Sequence, residues 1–400
     1  MFFCKYVLNT VMNILFIDEY NVFAPAFGAE QRSNLLLRAC CKIANVDLVL
    51  FKKYDILPNI DSCKIVFEEN IDNKYNLWNK IKKILSFRYN NISVVNQKKK
   101  KVISQLLCKK DYDYIVVRYV PLAINFGLLE YVDRLVIDID DNPIKCFINQ
   151  FNLPEKCKWK KMVKHFYLQI KLPFIRKVFT NIVGNIRIPF VSNIEDVYID
   201  KSKCVYLPNV PFTEPDAKFC DFSVSSRRVI WVGVVNFPPN YWGLEHFFEC
   251  IYPKVLAKIP DFEVVIVGKY GDYNIDQWRN LQGVSVKGFV EDLEMEYALS
   301  RAAIVPVYMG AGTNIKVLEA MRMKRPCITT ECGARGYDNF FEDKRDYMVC
   351  KNDDEFANSI IDMLEDELKN HTMSSNGFER VSKFFSQESF FNIVSSAFNK

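Results

Sequence analysis

YMGAGTNIKVLEAMRMKRPCITTECGARGY, Tyr308 to Tyr337, is a loop that becomes a helix. Gly310, Ala311 and Gly312 are followed by Ile315, Leu318 and Met321 at positions i, i+3 and i+6 of one helix face. Thr313 or Asn314 suits the first turn as a cap, and Arg322, Lys324 and Arg325 suit the negative end of the helix dipole before Pro326 stops the pattern. The start of such a helix offers backbone N–H groups to an anion. The β-branched run AAIVPVY precedes the loop and CITT follows the helix, so the unit is strand, glycine loop, helix, strand.

Glu319 lies further along this helix, where its carboxylate can project towards a ligand lying over the loop. The bland reading of the loop is a tight turn; a nucleotide sugar, with its diphosphate at the helix start and its ribose hydroxyls on Glu319, fits both features. The string resembles the donor-binding motif of family-four retaining glycosyltransferases. That family has the α/β GT-B architecture, two Rossmann-like doubly wound domains facing across a cleft. Its Glu-x7-Glu motif runs through this helix. Residue by residue, Glu319 matches the second glutamate and Ala311 stands in place of the first, as in a GAGT-x-x-K branch that Thr313 and Lys316 also match. The resemblance implies that Gly310, Ala311, Gly312, Thr313, Asn314, Lys316 and Glu319 bind the donor.

The chain has 400 residues, 50% hydrophobic and 25% charged, which predicts a globular protein of two or three domains. Thirteen cysteines without a C-x-x-C pair predict reduced thiols in a cytoplasmic setting, and His165, His246 and His371 do not pair into a histidine metal site or triad. No metal and no cofactor are expected, the nucleotide sugar being a substrate. Residues 1 to 11 read as a dispensable extension without the long apolar core of a signal peptide, and no run reaches 18 apolar residues. The net charge of +5 hides a division: residues 1 to 212 carry a net +12 and residues 213 to 400 a net −7.

From Met12 the first half alternates strands and helices. NILFIDEY (13 to 20) is a buried strand, and Gly28, Ala29 and Glu30 precede a helix expected from about Gln31 to Ile43; they either pack or form an acceptor-side loop. VDLVLFKK (46 to 53) is a second strand, and the run Gln97 to Lys101 reads as a solvated helix face. DYIVVRYV (113 to 120) and RLVIDIDDNP (134 to 143) are strands ending in polar residues, where ligands meet an open parallel sheet. Arg118, Asp138, Asp140 and Asp141 are therefore candidates. D-x-D-D also resembles the nucleophile motif of haloacid-dehalogenase phosphatases, but Asn142 stands where that motif wants Thr or Val. A D-x-D metal site of the other glycosyltransferase fold is the remaining rival. In the family resembled, this strand end often reads His-Asp, with the His beside the reacting sugar; Asp140 takes the His position.

EKCKWKKMVKHFYLQIKL (155 to 172) puts Trp159, Val163, Phe166 and Ile170 on one face, with Lys156, Lys160, Lys161, Lys164 and Lys171 largely elsewhere. This is either a core-facing helix with a wet back or a helix drawn to an anionic membrane. KVFTNIV and CVYLPNV are expected as the last short strands of this half.

PFTEPDAKFCDFSVSSRR lacks periodicity and reads as a boundary. The expected organisation is an extension at 1–11, an acceptor domain at 12–212, a linker at 213–228, a donor domain at 229–385, and a helix at 386–400 that crosses back to the first domain. The second half repeats strands and helices: RRVIWVG, FEVVIVG and GVSVKGFV end in Gly233, Gly268 and Gly288. The resemblance places the nucleotide base at Gly288, Phe289 and Val290. No Arg or Lys follows the first strand of this half, so Lys316, with Lys269 or Arg335, is expected to meet the diphosphate.

The resemblance thus implies a glycosyltransferase acting with retention, the diphosphate leaving against a helix start and Lys316, with Asp140 and Arg118 as further catalytic candidates. The expected partners are a nucleotide sugar, a glycan or lipid-linked acceptor, and an anionic membrane touched by the basic half, but no nucleic acid. A sugar-nucleotide epimerase and a catalytically degenerate binding subunit are the alternatives.

Overall fold

The computed structural model describes residues 12–23, 28–54, 60–71, 86, 92–140, 142–152, 158–193, 201–211, 226–271, 273, 275–310 and 312–399. The extension at 1–11, Asp141, Lys156, Ala311 and most of the expected linker lie outside the described residues. The chain divides into two compact units, Met1–Pro208 with Phe390–Lys400, and Asn209–Ser389.

The first unit is built on a parallel sheet of seven strands: β1 (Asn13–Asp18), β2 (Asn45–Leu50), β3 (Cys63–Glu68), β4 (Tyr114–Arg118), β5 (Leu135–Asp138), β6 (Ile188–Val191) and β7 (Val205–Tyr206). Their order is β3-β2-β1-β4-β5-β6-β7. Ile14 to Ile17 and Ile115 to Val117 are buried without alternation, as in parallel strands covered on both faces. The helices are α1 (Gly28–Ile43), α2 (Gln97–Lys109), α3 (Val120–Asn125), α4 (Pro143–Asn152) and α5 (Lys158–Asn185). The sheet grows outward in opposite directions from β1 and β4, which puts its topological switch point between them.

The second unit repeats the plan with six parallel strands in the order β10-β9-β8-β11-β12-β13. These are β8 (Arg228–Val232), β9 (Glu263–Val267), β10 (Val284–Gly288), β11 (Ala302–Val305), β12 (Cys327–Thr330) and β13 (Met348–Cys350). Its helices are α6 (Pro238–His246), α7 (Tyr252–Leu256), α8 (Asp276–Arg279), α9 (Leu293–Ala298), α10 (Ile315–Arg322), α11 (Glu331–Ala334), α12 (Asp353–Glu365) and α13 (Glu367–Phe384). A π turn at Phe247–Ile251 joins α6 to α7. Pro253, which lacks an N–H and crowds the carbonyl four residues earlier, accounts for the widened turn. The switch point lies between β8 and β11.

The last helix, α14 (Gln387–Phe398), belongs to the first unit from Phe390 onward. There Phe398 meets Tyr114 edge-on at 4.8 Å, and Arg32 lies 5.9 Å from the Phe390 ring.

Several local expectations are corrected. KVFTNIV is not a strand but the later part of α5: Ile175, Phe179, Ile182 and Val183 are spaced to pack one helix face into the core. Gly28, Ala29 and Glu30 form the first turn of α1 rather than a loop. Within Gln97 to Lys101, Lys99 is buried, ion-paired to Glu19 and set over the Phe51 and Phe126 rings at 5.2 and 5.4 Å. α10 ends at Arg322, four residues before Pro326, where Lys324 turns the chain with φ 50°. The bland reading of the helix around Trp159 also fails, because the face carrying Trp159, Val163, Phe166 and Ile170 is exposed.

Candidate functional site

On one side of the second sheet's switch point, the neighbouring strands β8, β9 and β10 end in glycines. Gly233 follows β8, Gly268 follows β9 and Gly288 closes β10, with the Gly233 N–H on Val267 O at 2.9 Å and the Gly268 N–H on Gly288 O at 2.7 Å. A Cβ on Gly268 would sit 1.8 Å from the Gly233 carbonyl oxygen, so no larger residue fits. One on Gly233 would strike the Lys316 side chain at 2.4 Å. The glycines thus make a bare backbone shelf, with the lysine tucked directly against it.

Lys316 stands in the first turn of α10, its Nζ donating to Asn240 Oδ1 at 3.2 Å and lying 5.7 Å from the Trp231 ring. Burial pushes its pKa down while Glu319, one turn on, pulls it up. Burial likewise pushes the Glu319 carboxyl up against the pull of Lys316. No hydrogen bond to the Glu319 carboxylate occurs among the described residues. The pair is therefore a cation and an acid at a helix start, both half-buried, with the lysine held by Asn240.

Asn314 is the N-cap residue of α10, but its side chain makes no cap hydrogen bond, contrary to the expected capping. Thr313 is held instead by Asn209, whose Nδ2 donates to its Oγ1 at 2.9 Å. Arg335, expected as a phosphate ligand, donates to the carbonyls of Gly310 (3.1 Å) and Gly312 (2.6 Å) and so braces the loop. Tyr337 adds a hydrogen bond to Asn314 O at 3.0 Å. A Cβ on Gly310 would meet nothing within 4 Å, so the space above this glycine is open. Phe289 is 69% exposed beside Gly288, and Lys269 is exposed after β9.

The first unit carries a buried charge cluster at its own switch point. Arg118, at the end of β4, is fully buried and donates to Asp138 Oδ2 (2.9 Å), Asp140 Oδ2 (2.7 Å), Ser33 Oγ (3.1 Å), the Tyr119 hydroxyl (3.0 Å) and Ala29 O. Arg32 grips Asp138 with two bonds of 2.8 and 2.7 Å and donates to Pro208 O and Leu207 O. Burial opposes ionisation of Asp138, yet the two guanidinium groups hold its pKa below the ordinary 3.8. Asp140, the more solvent-accessible carboxylate, caps the cluster.

Sequence reasoning named Arg118, Asp138 and Asp140 and missed Arg32, Asp18 and Tyr119. Asp18 ends β1 fully buried, its Oδ1 accepting the N–H groups of Glu19 (2.7 Å) and Tyr20 (2.9 Å). Tyr119 has φ 62° and ψ 132°, a conformation costly for a residue with a side chain and one that concentrates at functional sites. Glu30 lies in the first turn of α1, two residues before Arg32. A further grouping was not anticipated: His246, Cys250 and Asp353 in the second unit, with ligand atoms within 4.8 Å of one another and His246 Nε2 2.8 Å from Asp353 Oδ1.

Two parallel sheets, each with helices and a switch point, define a two-domain doubly wound α/β fold, and comparison with known proteins sharpens this. Residues 226–366, within the second unit, match the family model described as Glycosyl transferases group 1. Sucrose-phosphate synthase from Thermosynechococcus elongatus superposes with a TM-score of 0.70 at 15% identity, covering 97% of this chain and 98% of that one. Anabaena HepE, solved in complex with UDP and glucose, gives 0.65 at 14% identity over 97% and 100% of the two chains. The expected α/β GT-B fold is therefore present. A curated relative, described as an uncharacterized 44.6 kDa protein in the cps region of Klebsiella pneumoniae, is 22% identical over 73% of this chain and 76% of its own. Among the described residues no helix is long and apolar enough to cross a membrane.

Proposed function

We propose that the protein is a family-four-like retaining glycosyltransferase that moves a sugar from a nucleotide donor to an acceptor hydroxyl in glycan or polysaccharide biosynthesis. The observation that carries this is Lys316 against the Gly233 shelf, with Glu319 one turn behind, inside the stretch that matches the group 1 family. The diphosphate lies at the start of α10 with Lys316 facing its negative charge, and the ribose lies on Glu319. Gly288, Phe289 and Val290 take the base, and Gly310, Ala311, Gly312, Thr313 and Asn314 take the phosphates and sugar. When the anomeric C–O bond breaks, its electron pair goes to the diphosphate, which Lys316 and the helix N–H groups stabilise. The acceptor oxygen bonds the same face, its proton passing to the leaving phosphate. By the resemblance, Asp140, held in place by Arg118, is the first unit's catalytic candidate, with Gly28, Ala29 and Glu30 as its acceptor-side candidates. The acceptor is a glycan or a lipid-linked glycan brought to an anionic membrane by the basic first half.

The UDP bound by HepE makes uridine sugars the first donors to test. Release of nucleotide from a donor, with the anomeric product assigned by NMR, is the measurement. Transfer with retention and survival of activity in EDTA are expected. Binding without release would indicate a degenerate subunit, an altered free nucleotide sugar an epimerase, and strict metal dependence would overturn the metal-free route and direct attention to His246, Cys250 and Asp353.

Glu319→Ala removes a charge-assisted hydrogen bond to the ribose, and calorimetry should show donor affinity falling by about 1.5 to 3 kcal/mol. The fold should survive, since the carboxylate supports no other described side chain through a hydrogen bond. Unchanged affinity would remove the ribose from this position.

A further inference from the structure

α5 is apolar on two opposite faces. Its later half buries Ile175, Phe179, Ile182 and Val183 in the core of the first unit. Its earlier half turns the other way: Trp159 (62% exposed), Met162 (69%), Val163 (51%), Phe166 (68%), Ile170 (41%) and Phe174 (40%) lie in water. At 100° per residue these six fall within about a third of the helix circumference, and from Trp159 to Phe174 they run about 22 Å. Every exposed large apolar side chain described in the first unit lies on this one stripe. Scattered exposed apolar residues need no explanation, but a continuous stripe does.

The charge on the same helix selects what covers it. From Lys158 to Asn185 there are seven Lys and Arg residues and no Asp or Glu; of these, Lys171 is buried and donates to Ser86 O at 2.6 Å, which leaves six to meet a surface. A second copy laid along the stripe would oppose two such helices, cation against cation. A surface of anionic lipid headgroups satisfies both features at once, taking the aromatic and aliphatic side chains below its headgroups and the lysines at their level.

We infer that the first half of α5 is an interfacial helix that lies in the plane of an anionic membrane, with the Trp159–Phe174 stripe inserted among the lipid headgroups. Its purpose rests on the transferase reading, because it brings the chain to a lipid-linked acceptor; the contact itself does not require transfer. Insertion of the stripe makes the binding more than electrostatic. Raising salt should weaken it without abolishing it, since salt screens charges beyond about 10 Å at 0.1 M and about 3 Å at 1 M but leaves apolar burial intact.

The test is co-sedimentation of the full chain with phosphatidylcholine vesicles and with vesicles containing about one third phosphatidylglycerol, at about 0.1 and 1 M salt. Binding to the anionic vesicles is expected at low salt, with a residue of binding at high salt. Trp159→Ser with Phe166→Ser should reduce the partition at least about tenfold. Both side chains are exposed, and circular dichroism checks that the fold is kept. Replacing Lys156, Lys160, Lys161 and Lys164 by Gln should remove the preference for anionic lipid. The proposal is overturned if the protein ignores anionic vesicles at low salt, if the apolar double variant binds as the parent does, or if the parent is a dimer that Phe166→Ser splits, which makes a second copy the occupant. Nucleotide release from a soluble donor, measured on the same variants, should be unchanged. Its absence in the parent would count against the transferase reading while leaving the membrane result to stand by itself.

Discussion

Lys316→Ala lowers the turnover of sugar transfer about 100- to 1,000-fold, the loss typical of removing one preorganised charge or donor from a developing anion. Affinity for the bare nucleoside changes little if, as proposed, the lysine meets the diphosphate and not the base or ribose. The alternative cations are already committed or poorly placed: Arg335 braces the carbonyls of Gly310 and Gly312, and Lys269 is exposed after β9. The reaction also acquires a recognisable pH profile. Burial holds the Lys316 pKa below 10.5, so its positive charge is lost at a lower pH than that of an ordinary lysine and the alkaline limb moves down. Burial holds the Glu319 pKa above 4.5, so its carboxylate takes up a proton sooner as pH falls and the acid limb moves up. Donor binding should therefore occupy a window narrowed from both sides. Calorimetry with a nucleoside diphosphate across pH checks the window, and turnover of the variant checks the charge. A Lys316→Ala enzyme with parental turnover would transfer the role to Lys269 or Arg335, and an alkaline limb at the ordinary lysine position would deny the buried environment its effect.

The parts that the sequence made legible share a physical reason. Parallel strands covered on both faces are uninterrupted apolar runs, so β1, β4, β5, β8 and β9 stood out without help from their neighbours. The loop before α10 was visible because glycines, Lys316 and Glu319 are close in sequence as well as in space. Arg32 was hidden for the opposite reason. It sits three residues before the Leu35, Leu36, Leu37 run on a helix that packs against the sheet, and nothing local reveals that Asp138, 106 residues away, is its partner. α5 defeated periodicity in another way. Its two apolar faces point in opposite directions, and KVFTNIV, rich in β-branched residues, satisfies a short buried strand as well as a helix turn. Only tertiary packing, with Ile175, Phe179 and Val183 against the first sheet, distinguishes the two.

Arg118→Leu should destabilise the first unit by about 3 to 5 kcal/mol, the cost of leaving buried ionic partners without their counter-charge. The argument rests on what the guanidinium does in the structure. Its five bonds use the full donor capacity of an arginine, and no part of the side chain reaches solvent, so it serves the cluster before it serves any substrate. Asp138 would keep Arg32, but Asp140 would lose its 2.7 Å charged bond, keeping a contact at 3.9 Å to Arg32 and the Tyr119 hydroxyl at 3.4 Å. Asp18 would lose the Arg118 charge that offsets its burial, and its already raised pKa would rise further. Against a typical domain stability of about 5 to 15 kcal/mol, such a loss is a large fraction. Because the chain has two units, a single unfolding transition is not assured, and probes must be assigned to each. The sharper readout is therefore comparative: denaturation of the first unit moves to lower denaturant, while nucleotide binding by the second unit stays at its parental affinity. Arg118→Lys, which keeps a charge but not the planar fork, should fall between the two. If Arg118→Leu instead unfolds like the parent and loses only transfer, Arg118 touches the acceptor and the cluster is a binding site in its own right. If nucleotide affinity falls with stability, the two units do not bind and fold as separately as their sheets and cores imply.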